Sequence, residues 1–499
     1  MNLQTFSDKK VVVMGLGLHG GGRSLAQWLF SQGAEVIVTD LKNRAELEIS
    51  IFALDAWCRS WRLAHPDRGV TSIQYHLGGH REVDFESADL VLQNPGVPSE
   101  SPYLACARSR GIPIENEATL FFRLTTGVPK IAVTGTRGKS TVVMLLGRIF
   151  SAGNMRVRTA GVATEKGVTA FFDIIDTVRS GDTTPIPAIL ELSSWHCELF
   201  TCPDLAAQTV VITNITPDHL NRYPDIDHYG AAKEQLVASQ NEGAVLVVNA
   251  DNDLTRAIGN RYQSCREVFW FSASQSVKRG AWVECRDGED CIVVSDSKGT
   301  PHEICAVSHL ALSGRHNLEN CLAAAAAATA GGVLPEPMRA ALTSGAGVPG
   351  RQELIASFGG REWINDTTST TPVALAAAVN TFAKGTGPNL ILIAGGADKR
   401  LEYDDIAKPV CRSVRAVIAL AGTATPKLVN AIMNGGFSGP IRYANTMDDA
   451  VRLAWQESAN GDRIVLSPGC ASFGQFVHEF DRGRAFCTAV SALRDRVGA

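Results

Sequence analysis

The 499-residue chain has no C-x-x-C pair among its 12 cysteines, and several of them, such as Cys106, Cys321 and Cys487, sit inside apolar runs. That spacing argues against a disulfide framework and a paired-thiolate metal site, and leaves free thiols of a reducing compartment as the expectation. Long hydrophobic runs are also missing. The longest apolar block, 321–330, is short and mostly alanine, too little to cross a bilayer. The first ten residues are polar and lack the apolar core of a secretion signal. Neither sign of charge prevails: 47 Lys and Arg face 51 Asp and Glu, a net charge of −4. This gives no electrostatic reason for a nucleic-acid or anionic-membrane partner. Aromatic residues make up only 7%, beside 45% hydrophobic and 20% charged residues, an ordinary α/β composition. A monomeric cytoplasmic protein of about three domains is the expectation.

What is present starts with Thr134-Gly135-Thr136-Arg137-Gly138-Lys139-Ser140-Thr141. The apolar run 130–133 precedes it and a helix-like stretch, 142–150, follows. A strand, a glycine loop and a helix start aim backbone N–H groups and a helix dipole at one spot, where phosphate sits. Lys139 is placed to reach the outer phosphates, and Ser140 or Thr141 to offer a hydroxyl to Mg²⁺. Val133 stands where the first glycine of GxxxxGK[ST] belongs, so the loop is two residues shorter than the common form.

Strand-like and helix-like segments alternate almost throughout, which predicts mostly parallel sheets with helices on both faces. Strands are expected near 10–15, 35–40, 89–92, 188–192, 209–213 and 244–248, and beyond them near 362–365, 390–394, 416–420 and 463–466. Turn-rich stretches at 125–129 and 343–350 suggest three domains, 1–126, 127–348 and 349–499. The first and last are predicted to be Rossmann-like, with a central P-loop ATPase-like domain between them.

Gly15-Leu16-Gly17-Leu18-His19-Gly20 matches GxGxxG after the first strand, and Asp40 closes the second. Alone it reads as a dinucleotide-binding turn, or as close packing of helix on sheet. With a second phosphate loop one domain later, a nucleotide-sugar diphosphate is the better fit than NAD. Glu191 ends a strand of the central domain, where a carboxylate holds Mg²⁺ or caps a turn. His219, after the next strand, is a metal ligand, a phosphate contact or a structural hydrogen bonder. His196 and His228 read as structural. Lys233 falls on a helix near 227–240, and composition alone makes it a solvated lysine. In the last domain the hydroxyls of 367–371 precede Pro372 and cap a helix. With the loops 395–399 and 467–474 they suggest a small-anion site whose cation is Lys399.

Together these motifs resemble the Mur ligase family over essentially the whole chain. The specific pieces are 134–141, 191–194, Asp218-His219, 231–233, Gly314-Arg315-His316-Asn317-Leu318-Glu319-Asn320, 395–399 and 466–472. The resemblance implies an ATP- and Mg²⁺-dependent ligase of cell-wall precursor synthesis. Its partners would be UDP-N-acetylmuramoyl-L-alanine and glutamate, D-glutamate by the usual pattern, joined through an acyl phosphate. It implies UDP contacts from Leu18, His19, Asp40, Asn94, Pro95, Gly96 and Ser193. ATP falls to the loop Gly135, Thr136, Arg137, Gly138, Lys139, Ser140 and Thr141, with Asn214, Asn317, Asn320, Arg351 and Asp366. Ser140, Glu191, His219 and a carbamylated Lys233 would organise the metal. Thr370, Lys399 and Ser472 would hold the incoming amino acid.

The chain departs from the family pattern in the acceptor pocket. Where Asp-Ser-Lys is usual it has Asp366-Thr367-Thr368, so one cation is missing. Gly474 replaces an aspartate, Glu479 stands at an aromatic position, and Gly161-Val162 replaces Gly-Asn. Losing a cation beside a dianionic amino acid weakens or reorients its binding. Addition of L-glutamate, or a related folylpolyglutamate-type ligase, are the alternatives.

Overall fold

The computed structural model describes the chain apart from residues 1–4, 18–19, 69–71, 162–168, 183, 221, 296–297, 313, 345–349, 384–386, 399–400, 473, 477–478 and 499. Three sheets follow one another along the chain. The first contains β1 (Lys10–Met14), β2 (Glu35–Asp40), β3 (Ile73–Leu77), β4 (Leu90–Gln93) and β5 (Ile114–Glu115). Its order is β3-β2-β1-β4-β5, all parallel. The order reverses between β1 and β4, which opens a crevice at their C-terminal ends. Gly15 and Asn94 line it, and a Cβ on Gly15 would lie 2.9 Å from that of Asn94. The following helix, Gly21–Ser31, starts close against the glycine turn. Gly22 allows this, because a Cβ there would meet the Gly15 carbonyl oxygen at 2.3 Å.

The second sheet holds β6 (Lys130–Thr134), β7 (Arg158–Ala160), β8 (Ala188–Glu191), β9 (Thr209–Ile212), β10 (Val245–Asn249), β11 (Glu267–Ser272), β12 (Gly280–Arg286), β13 (Glu289–Ser295) and β14 (Pro301–Ala306). Parallel β10-β9-β6-β8-β7 form its body, with β6 central and fully buried. The near-continuous apolar run of β6 suits a strand covered on both faces. The antiparallel strands β12–β14 lie outside the sequence expectation. A signal was present, since Asp287 and Gly288 adopt φ of 50° and 83° between β12 and β13. Asp-Gly with two positive φ values is the hairpin turn that matches strand twist.

The first two sheets belong to one compact unit. Trp28 of the first domain stacks on Phe172 of the second at 5.3 Å, and its Nε1 donates to Asp176 at 2.9 Å. Lys130, at the start of β6, is buried and donates to the Thr125 and Val128 carbonyls at 2.6 and 2.8 Å. Both of these partners are neutral, and burial pushes its amine down to about 8.

The third sheet forms the other unit: β15 (Glu353–Phe358), β16 (Arg361–Asn365), β17 (Leu390–Ala394), β18 (Val414–Leu420), β19 (Ile441–Ala444) and β20 (Arg463–Leu466). Its order is β15-β16-β20-β17-β18-β19, parallel except for β15. Loops after β16, β20 and β17 are therefore neighbours at one edge. Trp363 is fully buried and stacks on Phe358 at 5.6 Å and Trp455 at 6.4 Å. Among the described residues, no helix is long and apolar enough to cross a membrane.

Trp363→Ala should destabilise the third domain by about 3–5 kcal/mol, as for other buried aromatic truncations. Chemical denaturation followed by tryptophan fluorescence checks this through a lower midpoint for that domain.

Candidate active site

Parallel register brings three strand ends together in the central sheet. Val133 pairs with Glu191 on one side of β6, and Thr134 with Ile212 on the other. The phosphate loop therefore emerges between Glu191 and the segment 213–219. Gly135 and Gly138 take φ of 141° and 86°, values that L side chains rarely adopt. Space demands glycine as well. A Cβ on Gly135 would lie 2.0 Å from Thr213 Oγ1, and one on Gly138 2.0 Å from Asn320 Oδ1.

The loop is tied to the end of β9. The Thr136 N–H donates to the Asn214 carbonyl at 2.8 Å and the Arg137 N–H to Asn214 Oδ1 at 3.0 Å. Thr213 Oγ1 donates to the Arg137 carbonyl at 2.6 Å. Lys139 opens the helix Lys139–Ala152, and its Nζ donates to the Gly135 and Thr136 carbonyls, each at 3.0 Å. Asn317 and Asn320 lie buried on the helix Arg315–Ala330, with Asn320 Nδ2 donating to Asn317 Oδ1 at 3.5 Å.

Beside the loop, Ser140 Oγ donates to Glu191 Oε1 at 2.9 Å. Glu191 Oε2 is buried and has no hydrogen-bond partner among the described residues. An orphaned carboxylate oxygen next to a hydroxyl is the hard oxygen donor set that Mg²⁺ takes, so these residues fit that ion. Gly161 packs so closely that its Cβ would come 2.5 Å from that of Glu191.

Lys233 departs from the solvated reading. It sits on the helix Ile226–Ala238 with 1% exposure, its Nζ 4.4 Å from the Tyr229 ring centroid. That Nζ donates to the Gly135 carbonyl at 3.1 Å. Burial first, and then the nearby Lys139 charge, push its amine down to about 7. His219, at φ 52°, packs its ring on Trp195 and Tyr229 at 5.1 and 6.0 Å. Burial lowers its pKa, reinforced by Lys233 and Lys139 against the opposing pull of Asp218. A neutral imidazole is the ligating form.

In the first domain the Asp40 carboxylate accepts from the Gly17 N–H at 3.1 Å and the Lys42 N–H at 2.9 Å, so it shapes the glycine turn. Asn94 anchors the turn that contains Pro95, its Oδ1 accepting from the Gly96 N–H at 3.0 Å. Leu18 and His19 lie outside the described residues. Ser193 follows Glu191 by two residues and caps the short helix Ser194–Cys197. His196 Nδ1 accepts from the Ser193 N–H at 3.1 Å and its Nε2 donates to Glu117 Oε1 at 3.0 Å, while His228 pairs with Asp225.

In the third domain Asp366 is buried at the end of β16. Its Oδ2 accepts from Ser467 Oγ at 2.9 Å and its Oδ1 from the Gln352 N–H at 3.2 Å. Burial pushes this carboxyl up to about 7, against the opposing pull of Ser467, Gln352 and Arg351. Thr370 and Ser472 occupy the adjacent loops, Ser472 being buried, while Lys399 lies outside the described residues. Thr368, which stands where the family carries lysine, donates its hydroxyl to the Gly350 carbonyl at 3.0 Å. Sequence reasoning missed Arg482, which is 1% exposed. It donates to the Thr367 and Cys470 carbonyls at 2.8 and 3.2 Å and so ties two of these loops together. One arginine on a polar helix gives no sequence signal of that burial.

Residues 133–328 match the Mur ligase middle domain, 350–470 the Mur ligase glutamate ligase domain, and 9–116 the MurD-like N-terminal domain of Mur ligases. The chain is 38% identical over 501 residues to the UDP-N-acetylmuramoylalanine–D-glutamate ligase of Roseiflexus sp. (strain RS-1), covering 98% of this chain and 99% of that one. It is 34% identical to the enzyme of the same name from Koribacter versatilis (strain Ellin345), covering 98% of each. Among solved structures, the UDP-N-acetylmuramate-alanine ligase of Thermotoga maritima superposes with a TM-score of 0.57 at 18% identity, covering 97% of this chain and 100% of that one.

Gly138→Ala should weaken binding of a non-hydrolysable ATP analogue at least about tenfold, since it strains φ and displaces Asn320. Titration calorimetry of the folded variant against the parent measures this.

Proposed function

This chain belongs to the Mur ligase family of ATP-dependent amide-forming ligases, and from that premise we propose that it adds D-glutamate to UDP-N-acetylmuramoyl-L-alanine in the cytoplasm, as a monomer. The observation that carries this reading is the cluster around the phosphate loop. Ser140, the half-satisfied Glu191, His219 and buried Lys233 lie about that loop, and on this reading they serve a nucleotide triphosphate and a carboxylate donor.

The glycine turn 15–20, Asp40, Asn94-Pro95-Gly96 and Ser193 hold the sugar nucleotide. The phosphate loop, Asn214, Asn317, Asn320, Arg351 and Asp366 hold ATP. A carboxylate is a poor acyl donor, so the L-alanyl carboxylate attacks the γ-phosphate and becomes an acyl phosphate. Loop N–H groups and Lys139 offset the charge spreading over the transferred group. Ser140, Glu191, His219 and Lys233 as its carbamate would hold Mg²⁺, which when bound screens the repulsion between the two anions. Lys233 suits carbamylation because an amine near neutrality keeps a nucleophilic, uncharged fraction at pH 7. Thr370, Lys399 and Ser472 orient the glutamate, whose amine attacks the acyl carbon and expels phosphate.

One observation favours a second reading, in which L-glutamate is the acceptor. The Thr368 hydroxyl is committed to Gly350 and supplies no charge to the pocket. Phosphate release from ATP with UDP-N-acetylmuramoyl-L-alanine should depend on added glutamate, and Lys139→Ala should slow it by about two orders of magnitude or more. Assaying each enantiomer separately decides between the readings: turnover with D-glutamate alone supports the first, and turnover with L-glutamate alone replaces it.

The pH dependence has a defined sign. Protonated Lys233 cannot take up CO₂, and its uncharged fraction rises with pH through about 7. Activity in CO₂-depleted buffer should therefore fall, and bicarbonate should restore it more fully at pH 8 than at pH 6. Equal activity with and without bicarbonate at pH 8, after prolonged depletion, would rule out the carbamate.

A further inference from the structure

One side chain of the central domain hydrogen-bonds into the first domain beside the reaction centre. Arg222 lies three residues beyond His219, and the Arg222 and Tyr223 N–H groups donate to the His219 carbonyl at 2.9 and 3.0 Å. The Arg222 guanidinium grips Glu198 with two prongs, Nε to Oε1 at 3.1 Å and Nη2 to Oε2 at 2.7 Å. The same group reaches the first domain, where Nη1 donates to the Pro95 carbonyl at 3.2 Å and Nη2 to the Val97 carbonyl at 3.3 Å. It stands 5.1 Å from the Trp195 ring, which packs on His219.

Glu198 is held from two more sides. Tyr223 donates to Oε1 at 2.6 Å, and Ser99 of the first domain donates to Oε2 at 2.7 Å. Gln93 Nε2 meets the Val97 carbonyl from below at 2.8 Å. Behind Ser99 and Glu198 opens a cleft of about 270 Å³, lined also by Arg108 and Arg123.

We propose that Arg222 is a positioning residue: it fastens the turn Asn94–Val97 to the turn carrying His219, and so sets where the donor's carboxylate lies relative to the phosphate loop. This rests on the functional reading above, in which the first turn holds the sugar nucleotide and His219 serves the metal. The chemistry requires arginine. A rigid planar fork satisfies a carboxylate and two carbonyls at once, whereas a lysine is a single point charge.

The test uses the full-length enzyme with Arg222→Met, Arg222→Lys and Ser99→Ala. Calorimetry gives the Kd for UDP-N-acetylmuramoyl-L-alanine, and steady-state kinetics give kcat and the KM for ATP. Arg222→Met should raise that Kd about tenfold and lower kcat, with the KM for ATP within about twofold of the parent. Arg222→Lys should fall between, and Ser99→Ala should move the Kd the same way by less. Unchanged Kd and kcat in Arg222→Met, or in both milder variants if Arg222→Met does not fold, overturn the proposal. Parallel rises in the Kd and the KM for ATP also overturn it, because they report general loosening. Failure of the parent itself to bind the sugar nucleotide is visible before any variant is made; it removes the functional reading and this inference with it.

Discussion

Asn214 holds the phosphate loop in shape by giving it both a backbone carbonyl and a side-chain oxygen, while Thr213 takes the Arg137 carbonyl. These contacts exist because β9 runs parallel to β6 in a register that ends both strands at one level. The same register on the other side of β6 brings Glu191 level with the loop. Everything chemical in the central domain follows from that alignment. A slip of one residue would turn Glu191 to the opposite face of the sheet and leave Ser140 without its carboxylate partner.

The alignment also concentrates charge. Lys139 and Lys233 both donate to the Gly135 carbonyl, and His219 feels both. Burial first, and then repulsion from the Lys139 ammonium, shift Lys233 toward neutrality. Glu191 contributes a single carboxylate, one of its oxygens unengaged. On the proposed reading, a site with that balance suits a polyanion and conversion of the buried amine into its carbamate. It is poorly suited to a neutral ligand.

Much of this was legible in the sequence, and the reason is geometric. Glycine loops, strand ends and cap residues announce themselves locally, so Gly135, Lys139, Glu191 and the loops after β16, β17 and β20 could be placed from neighbours in the chain. Burial over long sequence separations could not. Lys233 reads as a solvated helix lysine until the fold puts Tyr229 and the Gly135 carbonyl around it. Arg222 and Arg482 are similar, since each becomes meaningful only through carbonyls about a hundred residues away in the chain or on another strand's loop. The antiparallel strands β12–β14 are a different case. Their Asp287-Gly288 turn was readable, but the prevailing strand-helix alternation masked it.

The junction of Trp28, Phe172 and Asp176 has a consequence for the whole enzyme. That seam joins the first two domains in one compact unit, which holds the glycine turn 15–20 and Glu191 together. On the proposed reading, a donor carrying one residue more or fewer between its diphosphate and its terminal carboxylate overshoots or falls short of the phosphoryl group. Discrimination among precursors of different length would then rest on reach.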